Sequence, residues 1–222
     1  MAHHAQAFWA LTGELRTSAA ADAARRFAPL TTASPPTLFR FLGHYRLFTE
    51  RYISDLALLV SRLPAGPFRS TLGDILAEEL GHGDYDEDHL RLYDRFLASC
   101  GAPAIGDQPS PVLDELREAV QRRSLPYAIG LRGMGGECMC ALYLEALHAA
   151  FIGNPYVVAR RSSIDWTFWE VHLGEVEGAH DTQLRAGVSA LIDASPDTAG
   201  ELASGYRDGT ASWRRFWDML AD

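Results

Sequence analysis

Residues 78–89 read EELGHGDYDEDH, placing two histidines and a cluster of carboxylates around a pair of glycines. Side chains of these types either punctuate a helix or hold a metal ion. Asp84, Asp86, Glu87 and Asp88 stand just ahead of the apolar run LRLYDRFLASC, where acids cap a helix and favour its positive end. That accounts for most of the acids. His89 falls inside the new helix on its apolar side, where capping gives no reason for an imidazole. Glu79 and His89 are therefore candidate ligands on either side of the turn, with His82 as a competing imidazole.

Two further places carry the same chemistry. Glu137 lies in YAIGLRGMGGECMCALYLEALHAAF, the most apolar stretch of the chain. An ionised carboxylate buried alone costs several kcal/mol, about enough to demand a cation, a strong hydrogen-bond donor or a proton. A metal and a buried arginine satisfy it equally well, and Arg132 is the nearest cation in sequence. In SIDWTFWEVHLGEVEGAHDTQLRAG, His172, Val176 and His180 follow one side of a helix at about 100° per residue, with Trp169 above and Leu184 below. Glu177 lies about 140° from His172 in a regular helix, and a single π-bulge would bring His172, Glu177 and His180 onto one face. Gly174 and Gly178 make such a bulge accessible; Glu175 is the alternative carboxylate that needs none.

Glu79, His89, Glu137, His172, Glu177 and His180 together form a mixed imidazole and carboxylate set without cysteine, drawn from three separated regions. Hard and borderline donors of this kind suit iron or manganese better than structural zinc or an iron–sulfur cluster. Six side chains suffice for two ions with open positions left for dioxygen, an arrangement that recurs in helix-bundle cores.

The elements that must position these residues are helical throughout. Helical periodicity dominates, and alternating runs with hairpin turns are scarce. Helices are expected at roughly 4–27, 36–63, 68–80, 86–100, 111–124, 127–152, 163–193 and 197–220, with Pro35-Pro36, Pro64, Pro67, Gly101, Pro109, Pro126, Gly153 and Pro196 among the breaks. The reading is an all-α, single-domain chain over 1–222, with 1–27 as a peripheral helix. The 127–152 segment is apolar on nearly every face and marks a central helix. Its Gly130, Gly133, Gly135 and Gly136 each weaken a helix by up to about 1 kcal/mol, which points to close approach of a neighbour.

At three places in order the sequence resembles the heme-oxygenase-like diiron oxidases and oxygenases, iron-containing redox enzymes on the fold shared with the TenA and PqqC proteins. EELGHGDYDEDHLRLYDRFLASCG resembles the first block of that family, AIGLRGMGGECM the central one with Glu137 in the ligand position, and FWEVHLGEVEGAH the last. The likeness spans roughly 36–190. The last block departs from the family spacing, because four residues rather than three separate His172 from the acid, and Glu177 stands where Asp is usual. The resemblance implies seven or eight helices, often a homodimer, binding two Fe(II) ions and using dioxygen as co-substrate. It further implies oxidation of a small organic molecule, by N-oxygenation of an amine or oxidative C–C cleavage of a fatty-acid- or amino-acid-like substrate, in natural-product biosynthesis, with an external electron donor.

Composition narrows the alternatives. A formal charge of −9 and pI near 5.3 offer no basic stripe for nucleic acid or an anionic membrane, so a small-molecule substrate is expected. Cys100, Cys138 and Cys140 are odd in number and fit no disulfide framework, which points to a reduced, cytoplasmic setting. No export signal or membrane span is visible. A metal-free TenA-like enzyme built around Cys138, a ferritin-like site using Glu145 and His148, and a non-enzymatic binding protein are the competing readings. His44 in FLGHYRLF is a conceivable heme ligand, and equally a core histidine. Arg132 would bind either a substrate carboxylate or Glu137.

Overall fold

The computed structural model describes residues 2–104, 108–173 and 175–220, with side chains described from Ala5 onward except at 175–181. Long helices form α1 (Ala2–Phe27), α2 (Pro35–Arg62), α3 (Pro67–Glu79), α4 (His89–Ser99) and α5 (Pro111–Arg122). A short α6 (Leu125–Ala128) runs through a π-helical turn, Ile129–Met134, into α7 (Gly135–Ile152). The chain ends with α8 (Pro155–Val158), α9 (Thr167–His172), α10 (Glu175–Ala194) and α11 (Thr198–Asp218). Among the described residues there is no strand, as the periodicity predicts.

The central segment is buried as expected, but it is not one regular α-helix. Ile129 through Met139 are all buried, and the π turn inserts one residue of extra girth in their middle. Gly130 and Gly135 admit α11, whereas Gly136 makes room for Tyr52 of α2 and Gly133 for Leu59 of α2. A Cβ on Gly130 would collide with the carbonyl of Leu202, and one on Gly205 with the carbonyl of Tyr127. Side chains are absent on both sides of this contact because backbone meets backbone. Trp213 locks the pair by donating its indole N–H to the Gly135 carbonyl at 2.8 Å.

The N-terminal helix α1 lies against α7 and α11, burying Phe8, Ala19, Ala23 and Phe27. Arg16 reaches from it to the carbonyl of Cys138 at 2.8 Å. On the other side, α2 carries a buried stripe, Tyr45, Phe48, Tyr52, Asp55, Leu56 and Leu59, at helical spacing. Arg46 clamps α4 to α2 through both oxygens of Asp94, at 2.5 and 3.0 Å.

The expected helix over 163–193 is divided. α9 stops at His172, and Leu173 has left helical geometry. The junction at 174, where a bulge after His172 would sit, lies outside the described residues; a π turn is described in the central helix.

Candidate metal centre

Glu79 closes α3, whose last turn holds no basic residue. A carboxylate there faces the negative end of the helix dipole, an unfavourable position unless a cation is supplied. The chain then reverses through Gly81, His82 and Gly83, all with positive φ of 62°, 50° and 91°. Gly81 cannot carry a side chain, since a Cβ would sit 2.6 Å from the backbone of Glu87 and Asp88. This reversal sets the start of α4 beside the end of α3. Asp88 caps α4 by accepting from the N–H groups of Leu90 and Arg91 at 3.0 and 3.2 Å, and Asp84 caps the short turn before it. The acids of this loop are helix punctuation, as the sequence implies, and α4 begins at His89 rather than near residue 86.

His89 is thereby fixed at the first position of α4, buried, with Nδ1 3.0 Å from Glu79 Oε2. The two atoms are close without being aligned as donor and acceptor, and Nδ1 makes no hydrogen bond to another group. Burial lowers the affinity of this imidazole for a proton, but Glu79, Glu78 and Glu137 outweigh it and raise the pKa.

His172 arrives from a third element. Asp165 binds Arg95 of α4 at 3.1 Å and accepts from the N–H and hydroxyl of Thr167 at 3.1 and 2.7 Å, anchoring the first turn of α9. Those hydrogen bonds to Thr167 and Arg95 hold the Asp165 carboxyl below its usual range. Trp169 then packs edge-on against Phe96, and Phe168 against Tyr93. One turn on, His172 Nδ1–H donates to the Phe168 carbonyl at 2.8 Å. A carbonyl only accepts, so this bond fixes the tautomer and leaves the lone pair on Nε2. The His89 and His172 rings lie 4.5 Å apart. One ligand atom each from Glu79, His89 and His172 fall within 4.8 Å of one another.

Glu137 stands in the first turn of α7, buried beside this trio, and Tyr52 donates its phenolic O–H to Oε1. Burial and the charge of Glu79 push its carboxyl up to about 8, against the opposing effects of Tyr52 and His89. The arginine that the sequence offers as its partner is elsewhere. Arg132 is buried and paired with Asp55, Nε to Oδ2 at 3.0 Å, with its guanidinium over the rings of Phe48 and Tyr52. Neither Glu137 nor a substrate carboxylate receives that ion pair.

Two imidazoles and one carboxylate thus converge, and Glu137 stands near enough for Glu79 to raise its pKa and His89 to lower it. This donor chemistry fits a divalent cation. Glu177, His180 and Glu175 lie outside the described side chains. His82 is exposed in a left-handed turn and does not join the cluster. Glu145 is exposed, and His148 lies half-buried against Trp169, 4.9 Å between ring centres. His44 is a core residue, stacked on Phe216 and hydrogen-bonded to its carbonyl at 2.6 Å. None of the three cysteines forms a disulfide.

Sequence reasoning missed Tyr52, Asp55 and Phe168. A polar residue recurring on the apolar stripe of α2 was the available signal for the first two; nothing distinguishes Phe168 from ordinary core. Tyr52→Phe removes the hydrogen bond that orients Glu137. It is expected to weaken metal binding by about 10–100-fold, read by competitive titration with a chromophoric chelator. Unchanged affinity would assign Tyr52 to packing alone.

Glu137 also sets a pH signature in the metal-free protein. The unfolded chain ionises this group in the ordinary carboxylate range, whereas the folded chain retains the proton to about 8. Stability from that proton is full at low pH and is lost as pH rises toward the folded value. Glu137→Gln keeps the neutral shape and cannot ionise. The variant should therefore gain on the wild type between about pH 5 and 8, by at most about 1.4 kcal/mol per pH unit, in urea denaturation of both metal-free proteins. A difference independent of pH would contradict this assignment.

Comparison with known proteins agrees with this picture. Residues 39–214 match a family described as iron-containing redox enzymes. No curated protein matches the chain. Among solved structures, a CADD-like protein of unknown function from Nostoc punctiforme superposes with a TM-score of 0.77 at 21% identity, covering 97% of each chain. A domain of unknown function with a heme oxygenase-like fold from Shewanella denitrificans gives 0.65 at 11% identity, covering 97% of this chain and 89% of the other. A TenA homolog from Pseudomonas syringae pv. tomato gives 0.59 at 12%, covering 92% of each. These likenesses establish the heme-oxygenase-like, TenA-like fold.

Proposed function

Because the chain belongs to the iron-containing redox enzymes, we propose that it is a non-heme diiron oxygenase or oxidase that uses dioxygen to oxidise a small organic substrate. The observation that carries the reading is the convergence of Glu79, His89 and His172, from three separate helices, on one point. Glu137 completes the described set, and Glu177 and His180 supply the remaining two ligands. Two ferrous ions bound there would supply the electrons that reduce dioxygen.

The chain's own residues have distinct tasks. Glu79 and Glu137 neutralise cationic charge, and His89 and His172 give nitrogen donors whose rings are held in place. The Phe168 carbonyl keeps His172 in one tautomer. Tyr52 holds Glu137 through Oε1, leaving Oε2 to ligate. Phe168 and Trp169, both buried, close the α9 side against water. Arg132, stacked under Tyr52, fixes the ring that holds Glu137.

The substrate is an amine, an amino acid or a fatty acid, oxidised by N-oxygenation or by oxidative C–C cleavage within a biosynthetic pathway, in a cytoplasmic homodimer served by an external electron donor. No described helix is long and apolar enough to cross a membrane. The test is dioxygen uptake by the ferrous protein with each substrate class in turn. Uptake that accelerates with one class and leaves an oxygenated or shortened product supports the reading. Iron-loaded protein that consumes no dioxygen with any class overturns it.

A further inference from the structure

The aromatic core holds an ordered path that the proposed reaction does not use. Tyr52, in contact with Glu137, stacks in parallel on Phe48, with ring centres 5.9 Å apart and planes 5° from coplanar. Phe48 meets Trp213 at 4.0 Å, and Trp213 stacks on Tyr143 at 4.9 Å and 8°. All four rings are buried. Tyr143 then donates its O–H to Asp22 Oδ2 at 3.0 Å. Asp22 is ion-paired to Arg25 and Arg26, and the Arg25 side chain is 76% exposed. The path therefore starts beside the metal centre and ends at the buried Asp22 of α1, one ion pair from the surface.

We propose that Trp213 and Tyr143 form a one-electron relay that drains an oxidising equivalent from the metal centre to Tyr143, whose proton passes to Asp22, when no substrate is bound. This rests on the iron-site reading above.

Tyrosine and tryptophan are the side chains most readily oxidised by one electron, together with cysteine. Phenol oxidation is accompanied by loss of the phenolic proton, because the oxidised phenol is a strong acid. A tyrosine can serve as terminus only where a base stands on its hydroxyl. Tyr143 has such a base; Tyr52 also stands on a carboxylate, but Glu137 is assigned to the metal, and Tyr127, on Asp208, lies outside the stacked path. Tyr93 donates to the Leu42 carbonyl and Tyr45 lies against the Cys140 thiol, and neither partner accepts a proton readily. In the relay step the O–H bond of Tyr143 breaks and its proton passes to Asp22. One electron passes through Trp213 and the Phe48 and Tyr52 rings toward the metal centre, where bound iron oxidised by excess hydrogen peroxide would accept it, the peroxide being reduced to water. Tyr143 is left as a neutral phenoxyl radical. Trp213 keeps its indole N–H on the Gly135 carbonyl throughout, so it carries the electron without surrendering a proton.

The test loads the full chain anaerobically with ferrous iron and measures iron per chain. The protein is then mixed with hydrogen peroxide without substrate, freeze-quenched and examined by electron paramagnetic resonance. Wild type should give a radical signal that narrows when the protein carries ring-deuterated tyrosine. Tyr143→Phe should lose it, and Asp22→Asn and Trp213→Phe should each diminish it several-fold at unchanged iron content. The exposed Tyr85 serves as control, and Tyr85→Phe should leave the signal intact. An undiminished signal in iron-loaded Tyr143→Phe overturns the relay; if that variant does not fold, an undiminished signal in Asp22→Asn does so. Iron bound with no tyrosine radical overturns the relay alone, whereas no iron bound overturns the proposed function and the relay together.

Discussion

His89→Ala is expected to abolish stable iron binding while leaving the fold in place. The side chain contributes little that the core needs: it sits at the start of α4, and the cap that nucleates this helix is the Asp88 carboxylate, which the substitution leaves untouched. What it contributes is one of two described nitrogen donors, placed 3.0 Å from Glu79 Oε2. Loss of a partner that merely orients a ligand costs about 10–100-fold in affinity, and loss of the ligand itself costs more. Iron per chain after gel filtration should fall to background, with helical circular dichroism unchanged. A variant retaining wild-type iron would remove His89 from the site and reopen the question of His82.

Arg132→Leu is expected to give the largest loss of stability. Arg132 and Asp55 are both fully buried, and burial holds the Asp55 carboxyl above its usual range even with the guanidinium beside it. Removing the arginine strands a buried acid, which costs about 3–5 kcal/mol when one partner of a buried pair is deleted. Replacing both partners, as Arg132→Leu with Asp55→Leu, should restore most of that stability, because no charge is then left unpaired. Urea denaturation of the metal-free proteins measures both effects. A single variant within about 1 kcal/mol of wild type would show that water reaches Asp55 freely. The same substitution takes the guanidinium from beneath Tyr52, so metal affinity should fall along with stability.

These expectations also show where the sequence was transparent. His89 and His172 could be singled out because each places an imidazole where helical periodicity demands an apolar side chain, and Glu79 because it stands across the turn from His89, where the resembled family carries a glutamate. The loop acids could be set aside because capping explains them, and Asp84 and Asp88 do cap. The four glycines of the central segment announced close neighbours, though not that α11 meets Gly130 and Gly135, with glycines of its own at 205 and 209, while α2 meets Gly133 and Gly136. The bulge that the sequence allows between His172 and Glu177 falls partly outside the described residues, and the π turn of the central helix was not foreseen. Glycines beside His172 and glycines at 130–136 signal deformability alike, and only packing against α11 decides which segment takes the extra residue. Arg132 was misassigned because sequence proximity to Glu137 says nothing about the π turn that carries its side chain toward α2. Tyr52 and Asp55 escaped notice because their partners lie on α7 and in the π turn, some eighty residues away in the chain.

The central claim is that this helical core is an iron site. It is tested most directly by anaerobic titration of the metal-free protein with ferrous iron, followed by metal analysis of wild type, His89→Ala and His172→Ala. The account predicts about two irons per wild-type chain, as a bundle-core site of six carboxylate and imidazole ligands allows, with loss in both variants. Wild-type protein that binds no iron, or variants that bind as much as wild type, would contradict it.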